Sequence, residues 1–570
     1  MLKSKLYPTL LFILLFLLII YPTILGLYIK GIEIPFKFFA ADSFYYLTIA
    51  ARSSSTNLYT FDGIFPTNGF HPLWQYYLTI SFKLFHLQSQ EIQIYFVFLS
   101  TIIFTAVGTS LFGLSLYHLS NNFALSLLGG VPGFYYILFC NLNPHYFSPW
   151  SFINGMESGL SILFFGILSY LLFNKEFLNK YNYIRILSIS FFLSLICLSR
   201  LDDIFLTISF LIIFYISNKN DKKIFTYISL LAFFPVFLVA IYIIYNFYYA
   251  HMLLPVSGTT KGGFSLIKNI GAFINIFIPF RYFMKTSTGY RTDWQDVSWR
   301  ALQMGIPLLV SLIALLYITL KKKISITNLK ENEKYQTFLI YTYCIYVSLK
   351  GSYNIINVSP YHQGHWYFPL SIMVFNLIIT MCIHSIFKNC NISEETYSIK
   401  IIKSNNLTKL VPLTLLIYII FISNSFLNYK INSSYNYQYY NFWKNRNEIL
   451  HNLQSIYPEN KILEFDDGII AYSLGLKTMS GLGFALDQEA FIAKNKGRLL
   501  DISYNRGIHV LCSMNYITIP NKACDNRELL KETLSKIFFM KNQNIERWNF
   551  RVIYLNKETG VIFIEFFPVN

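Results

Sequence analysis

Eleven long apolar segments constrain this chain more than any other feature of its sequence. A helix needs about 20 mostly apolar residues to cross a lipid bilayer. The first segment, residues 6–29, contains no charged side chain and is too long for the core of a signal peptide, so we interpret it as an uncleaved anchor. The sequence therefore predicts a mainly α, polytopic helical membrane protein. The predicted spans are 6–29, 92–118, 123–140, 158–173, 184–200, 203–218, 223–249, 301–320, 335–350, 363–387 and 410–428.

The distribution of positive charge predicts how these spans are oriented. The net charge is +17, and much of the excess lies in short loops between apolar segments, near 174–185, 219–223, 321–323 and 388–409. Basic residues in short loops mark the cytoplasmic side of a membrane, so this excess indicates orientation rather than nucleic-acid binding. We expect a multi-pass protein of the inner (plasma) membrane, with a cytoplasmic N-terminus and an extracytoplasmic C-terminal part.

One further apolar stretch, residues 72–87, is not counted as a span. It is short, and Lys83 near its centre would cost about 2.5–3.5 kcal/mol inside the bilayer. If it crossed, residues 141–157 would also move to the side of the basic loop at 174–185. We therefore predict an amphipathic helix that lies on the outer surface.

The composition changes near residue 432, which divides a membrane module (1–432) from a soluble domain (433–570). The second part has a balanced charge and short β-like runs separated by helical patterns, so we predict a small extracytoplasmic α/β domain. Cys512 and Cys524 both fall in it, where a disulfide is permitted, although spacing alone does not decide whether they pair. The predicted strands are 461–465, 509–512, 516–519, 552–555 and 561–566, and a helix is predicted over 527–539.

An acidic residue, Asp42, follows the first span by about thirteen positions, in the segment AADSFYYLTIAA (40–51). The segment predicts a helix with aromatic residues at the membrane interface. Asp at the start of a helix commonly caps its free N–H groups, and from spacing alone that is the better interpretation. The next stretch, FDGIFPTNGFHPLW (61–74), favours a site instead, because its turn residues hold Asn68 and His71 at the centre of a rigid loop.

These motifs together resemble a known superfamily. The combination of DSFYYLTIA (42–50), FDGIFPTNGFHPLW and NGMES (154–158) is similar to bacterial GT-C membrane glycosyltransferases, a superfamily with protein O-mannosyltransferases and aminoarabinose transferases among its members. The similarity continues through SRLDDIF (199–205), LPVSGTTK (254–261) and DGIIAYSLGLKTMSGL (467–482). It is strongest in the first outer loop.

The resemblance implies both a fold and a reaction. The implied fold is a multi-span helical module with a long first outer loop lying on the membrane. The implied reaction moves a sugar from a polyprenyl-phosphate carrier to an acceptor on the outer face, usually with inversion, and an acid in the first outer loop is the expected general base. Asp42 matches that acid. Relatives often carry a pair of acids there, whereas this chain has Ala41 before Asp42.

Other residues are candidates for the same site. Glu157 could be an alternative base, could orient the acceptor or hold a divalent ion with Asp42, or could simply be an acid at a helix N-terminus. Asp202 and Asp203 lie in a tight hairpin with Arg200, where a local salt bridge is the preferred interpretation. The candidates for substrate binding are Asn68, His71, Lys261, Arg281, Arg291, His362 and His365. A metal ion at His362 and His365 is less favoured than interfacial hydrogen bonding, and metal dependence stays open.

Two alternatives to a glycosyltransferase are carried forward. A transporter or flippase of lipid-linked saccharides would place polar residues near the bilayer midplane, whereas here they cluster at the ends of spans. An inactive structural relative is the other alternative, and Ala41 is the reason to keep it. The expected partners are a polyprenyl-phosphate-sugar donor, membrane lipids, and a lipid, polysaccharide or protein acceptor.

Overall fold

The chain is mainly helical, and a small sheet lies near its C-terminus. The computed structural model describes residues 2–139, 149–173, 182–261, 294–321, 331–357, 367–394, 420–421, 428, 431, 437–465, 468–483, 485–514, 526–535, 540, 543–556 and 558–569. The helices before residue 400 are α1 Leu2–Lys30, α2 Glu33–Phe38, α3 Ser43–Thr56, α4 Pro72–Leu84, α5 Gln90–Ser120, α6 Phe123–Gly130, α7 Gly133–Phe139, α8 Ser158–Phe173, α9 Tyr183–Ser199, α10 Ile204–Asn218, α11 Ile224–Ala250, α12 Val256–Lys261, α13 Trp294–Lys321, α14 Glu331–Asn357 and α15 Pro369–Glu394.

Most predicted spans coincide with helices within a few residues. The exceptions are α13 and α14, which extend further, and α15, which begins six and ends seven residues later than the predicted 363–387. Among the described residues, five helices are long and apolar enough to cross a membrane, and three shorter apolar helices accompany them. The span predicted over 123–140 is wrong as a single helix, because α6 ends at Gly130 and α7 begins at Gly133. Pro132 lies in the break, where it has no N–H to continue the α-helical hydrogen bonds. The predicted span 410–428 lies almost wholly outside the described residues.

The segment 72–87 forms α4, but its polar and apolar residues are not sorted onto opposite sides, so its placement as an amphipathic helix on the outer surface stays a prediction. The buried residues include the polar Gln75, Thr79 and Ser81. Trp74 and Leu78 are buried, whereas Ile80 and Leu84 are exposed. The side chain of Gln75 donates a hydrogen bond to the carbonyl of Tyr46 in α3 (3.3 Å). With 13 residues, α4 is shorter than the helix of about 20 residues that crosses a bilayer.

Two glycines let α5 and α8 cross at close range. A Cβ atom built on Gly166 would lie 2.9 Å from the Cα of Gly108, and a Cβ atom built on Gly108 would lie 2.7 Å from the backbone nitrogen of Leu163. Small residues at such a crossing are typical of membrane helices, where close backbone approach replaces the hydrophobic driving force. The loop that contains Glu157 leads directly into α8, so this crossing helps to position that loop.

We expect the Gly166→Ala variant to lose about 1–3 kcal/mol of unfolding free energy, because the new methyl group meets backbone atoms that cannot move aside. A melting curve of the purified protein in detergent measures this loss. Gly258→Ala is the matched control, since a Cβ atom there meets nothing within 4 Å. Equal melting temperatures for the two variants would contradict the close crossing.

The C-terminal part is an α/β domain, as predicted. Its strands are β1 Lys461–Glu464, β2 Lys477–Ser480, β3 Val510–Ser513, β4 Trp548–Asn556 and β5 Val561–Pro568. Its helices are α16 Tyr437–Lys444, α17 Arg446–Ile456, α18 Ile469–Leu474, α19 Gln488–Asn495, α20 Leu499–Asn505 and α21 Arg527–Ser535. The strands lie in the order β2-β1-β3-β5-β4, with β2, β1 and β3 parallel and β5 and β4 antiparallel.

Two predictions for this domain fall outside the described residues, the strand at 516–519 and the cysteine at 524. The pairing of Cys512, which is buried in β3, therefore stays a prediction. Sequence patterns missed β2, a strand of four residues in which apolar and polar positions do not alternate. The predicted domain division near residue 432 also lies outside the described residues, and it too stays a prediction.

Candidate functional site

Asp42 lies where the first outer loop turns into α3. Its backbone has helical angles, and its side chain makes no capping hydrogen bond to the helix. The interpretation of Asp42 as a capping residue is therefore wrong. Its main-chain carbonyl accepts a hydrogen bond from the N–H of Tyr45 (3.2 Å), which fixes the first turn of α3. The residue is half-buried.

The NGMES loop packs directly against this first turn. The N–H of Ala40 donates to the carbonyl of Asn154 (2.9 Å). Gly155 has a φ of +76°, and a Cβ atom there would lie 2.9 Å from both Phe39 and the Cβ of Ser43. Only glycine adopts this conformation at little cost while allowing such an approach. Two motifs that are separated by more than 100 residues in the sequence thus meet beside Asp42.

The turn at 57–71 is held by its own polar groups. One carboxylate oxygen of Asp62 accepts hydrogen bonds from the N–H groups of Ile64 and Phe65 (2.7 Å each) and from the hydroxyl of Thr60 (2.9 Å). Burial raises the pKa of Asp62, and these hydrogen bonds oppose the rise. Asp62 therefore stabilises the conformation of this loop.

Asn68, predicted to bind substrate, lies buried between the loop and the segment after α11. Its side-chain NH₂ donates to the carbonyl of Leu254 (3.0 Å), and its oxygen accepts from the N–H of Val256 (3.1 Å). Its amide therefore joins the loop to the start of α12. This contact brings the LPVSGTTK motif next to the first outer loop.

Glu157 is buried beneath the same loop and is surrounded by donors. Its carboxylate lies 2.6 Å from Nη1 of Arg200 and accepts a hydrogen bond from the hydroxyl of Tyr46 (3.2 Å). Nε2 of His71 lies 3.6 Å from the same carboxylate. Nδ1 of His71 accepts a hydrogen bond from the N–H of Leu201 (3.4 Å). Burial, followed by the charge of Glu157, raises the pKa of Tyr46 well above its usual range.

The ion pairs continue from Glu157 into the bundle. Nε of Arg200 lies 2.9 Å from Asp202, which confirms the local salt bridge preferred from the sequence. Lys350 in α14 pairs with Asp203 and lies 3.4 Å from Asp202. The hydroxyl of Tyr346 donates to Asp203 (2.6 Å). We call Glu157, Arg200, Asp202, Asp203 and Lys350 the buried ionic cluster.

The cluster was only partly visible in the sequence. Arg200, Asp202 and Asp203 are close together in the chain, but Tyr346 and Lys350 were not identified as partners of the two aspartates. Tyr46 was likewise not identified as a partner of Glu157. The sequence did contain one indication of the cluster. Lys350 is a charged residue at the very end of a predicted span, where an oppositely charged partner is expected.

The remaining predicted site residues cannot be placed at the site. Lys261 is the last residue of α12, and only its backbone is described. Arg281, Arg291, His362 and His365 lie outside the described residues. Within the part of the chain that is described, no group of three or more His, Cys, Asp or Glu side chains is arranged to hold a metal ion. The proposed divalent ion stays a prediction.

Comparison with known proteins connects this geometry to a fold. No protein-family model and no curated protein matches the chain. The crystal structure of ArnT from Cupriavidus metallidurans in the apo state superposes with a TM-score of 0.51 at 10% identity, over 95% of this chain and 97% of that chain. The chain has the fold of ArnT. The multi-span helical fold implied by the sequence motifs is thereby confirmed.

Two further structures are similar at lower scores. ArnT from the same organism bound to undecaprenyl phosphate gives a TM-score of 0.48 at 10% identity, over 96% of this chain and 97% of that chain. The Archaeoglobus fulgidus oligosaccharyltransferase, tethered with an acceptor peptide, gives 0.44 at 9% identity, over 97% of this chain and 74% of that chain.

Proposed function

We propose that this chain is an integral membrane glycosyltransferase that moves a sugar from a polyprenyl-phosphate-linked donor to an acceptor on the outer face of the membrane. The observation that carries the proposal is the placement of Asp42. A half-buried acidic residue, whose side chain makes no capping hydrogen bond, begins the helix against which the NGMES loop packs. The ArnT fold and the motifs of the first outer loop support the same assignment.

In this proposal Asp42 is the general base. The hydroxyl of the acceptor loses its proton as it attacks the anomeric carbon, and the carboxylate takes that proton. The new carbon–oxygen bond forms as the bond to the carrier phosphate breaks, which inverts the configuration. The departing phosphate ester needs positive charge more than a proton donor, because negative charge grows on its oxygen. Lys261, Arg281 and Arg291 are the proposed cations.

Of the roles left open for Glu157 by the sequence, that of an alternative base is not the one we propose. Its side chain is only 1% exposed and lies against Arg200, Tyr46 and His71. Its two carboxylate oxygens are already engaged, one by Arg200 (2.6 Å) and the other by the hydroxyl of Tyr46 (3.2 Å), which leaves Glu157 poorly placed to take a proton from an acceptor. We assign Glu157 a positioning role, in which it holds α3 through Tyr46.

The proposed topology follows from the charge distribution. The N-terminus faces the cytoplasm, and the C-terminal domain faces the extracytoplasmic (periplasmic) side of the inner membrane. The described contacts fit this arrangement, since the C-terminal domain lies on the same loop as Asp42. For example, the hydroxyl of Thr67 donates to the carbonyl of Leu486 (3.2 Å).

A reconstituted assay tests the function. The purified protein in lipid nanodiscs is mixed with a panel of radiolabelled polyprenyl-phosphate sugars and with lipid, polysaccharide and peptide acceptors. We expect one donor to lose its label to one acceptor class, with release of polyprenyl phosphate. If instead the protein moves labelled lipid across liposomes and leaves the glycan unchanged, the transporter alternative replaces this proposal.

A further inference from the structure

The C-terminal domain makes backbone contact with the turn that carries Asp42. The contact is Gly468, the residue before α18, which lies against the first turn of α3. A Cβ atom built on Gly468 would lie 2.8 Å from the backbone nitrogen of Tyr45 and 2.9 Å from the carbonyl carbon of Phe44. The N–H of Tyr45 is the group that donates to the carbonyl of Asp42. The backbone N–H of Tyr45 therefore lies between Gly468 of the soluble domain and the main chain of Asp42, the candidate base.

The first turn of α3 is consequently enclosed by two glycines. Gly155 of the NGMES loop approaches it at Ser43, and Gly468 of the C-terminal domain approaches it at Tyr45. Both have left-handed φ angles, +76° and +89°, which glycine adopts with little strain. Neither position leaves room for a side chain, so the turn cannot shift toward either of them.

The helix that follows Gly468, α18, is itself held in place by hydrogen bonds. Glu464 is buried, and its two carboxylate oxygens accept hydrogen bonds from the N–H groups of Ile470 (3.0 Å) and Ala471 (2.9 Å) at the start of α18. Charge-assisted bonds of this kind are among the stronger ones in proteins. After α18, the carbonyl of Leu476 accepts a hydrogen bond from the guanidinium of Arg52 in α3.

Further contacts connect α18 and its neighbouring residues to α3 and α5. The hydroxyl of Thr48 donates to the carbonyl of Gly468 (3.4 Å), and the hydroxyls of Tyr45 and Ser480 lie 3.2 Å apart. On the other side, the hydroxyl of Tyr472 donates to the carbonyl of Gln90 (3.0 Å) at the start of α5. Both α3 and α5 of the membrane module are therefore connected to α18.

We infer that the C-terminal domain sets the position of Asp42, and that Gly468 is the positioning residue through which it does so. This inference rests on the proposed function for its catalytic consequence. A base must lie within hydrogen-bonding reach of the proton that it takes, and a misplacement of about 1 Å costs roughly 10²-fold in rate. The domain is then a structural part of the active site, although none of its own side chains is required to react.

Two glycines at the ends of α18 provide a matched test. Gly468 and Gly475 both have left-handed φ angles, +89° and +67°, but a Cβ atom on Gly475 meets nothing within 4 Å. Alanine at either position carries the same kind of backbone strain, and only Gly468→Ala pushes against α3. We expect Gly468→Ala to lower kcat by roughly 10–100-fold with the donor KM unchanged, and Gly475→Ala to leave both within about twofold.

A second measurement does not depend on activity. Asp42→Cys is introduced into each glycine variant, and its labelling by a membrane-impermeant maleimide is followed by mass spectrometry of the peptide. We expect the labelling rate to change by about threefold or more with Gly468→Ala and to stay unchanged with Gly475→Ala, because only the first moves the turn. Equal labelling rates in the two variants overturn the inference.

The two measurements separate failure of the inference from failure of the proposed function. If the unaltered protein transfers no sugar but the labelling rates differ, the positioning contact stands and the proposed reaction falls. If sugar is transferred and Gly468→Ala keeps its kcat, the inference falls alone. Should Gly468→Ala fail to fold, Ser480→Ala decides, because it removes the contact with the Tyr45 hydroxyl without adding atoms. Its kcat is expected to fall with KM unchanged, and an unchanged kcat overturns the inference.

Discussion

Sugar transfer by the Asp42→Asn variant is expected to fall by roughly 10²–10⁴-fold relative to the unaltered protein, the contribution of a positioned general base. The amide of asparagine has nearly the shape of the carboxylate, but it cannot accept the proton of the attacking hydroxyl. Because Asp42 makes no side-chain cap to α3, the helix loses no capping hydrogen bond in the variant. The loss should therefore appear in kcat.

Two companion variants sharpen this test. Asp42→Glu keeps the acid and moves it by one methylene group, so its activity should lie between those of the unaltered protein and Asp42→Asn. Glu91→Gln removes an exposed acid at the start of α5, and it should leave transfer within about twofold. Transfer at the normal rate by Asp42→Asn would remove Asp42 as the base. Activity that appears only after Ala41→Asp would favour the inactive-relative alternative.

The helices were predictable because their cause is local. An apolar run of bilayer length must satisfy its backbone internally, so α8 occupies the predicted 158–173 and α9 differs from 184–200 by one residue at each end. The break between α6 and α7 was missed because the apolar pattern continues through Pro132. Hydropathy measures side chains, whereas the break arises from an absent backbone donor.

The site was predictable only in part, because its contacts join residues that are far apart in the sequence. Asp42 and the NGMES loop were recognised as motifs, and the structure brings their backbones together at Ala40 and Asn154. The motif at 467–482 did not reveal that its Gly468 would lie against the same turn, because a contact across more than 400 residues depends on how two modules pack. Glu157 was a second residue whose surroundings could not be predicted. Its proposed role depends on its burial against Arg200, and no local sequence pattern reveals that partner.

Removal of Arg200 is expected to have the largest effect on stability. The buried ionic cluster contains three carboxylates and two cations, and Arg200 contacts Glu157 at 2.6 Å and Asp202 at 2.9 Å. Its guanidinium also lies 4.0 Å from the ring centre of Tyr367. Breaking a buried pair by removing one partner costs about 3–5 kcal/mol, because the remaining charge stays buried without compensation. We therefore expect Arg200→Leu to lower the melting temperature sharply and to reduce the yield of folded protein.

An exposed pair of the same residue types provides the control. Arg551 lies on the surface of the C-terminal domain, and its Nε donates to Glu565 at 3.0 Å. Exposed pairs contribute about 0.2–1 kcal/mol, so Arg551→Leu should melt close to the unaltered protein. The double variant Arg200→Leu with Glu157→Gln should recover part of the loss, because it removes one of the stranded charges as well. If Arg200→Leu melts like Arg551→Leu, burial of the cluster does not govern its contribution. If the double variant is no more stable than Arg200→Leu alone, the destabilisation comes from lost packing at Tyr367 rather than from unpaired charge.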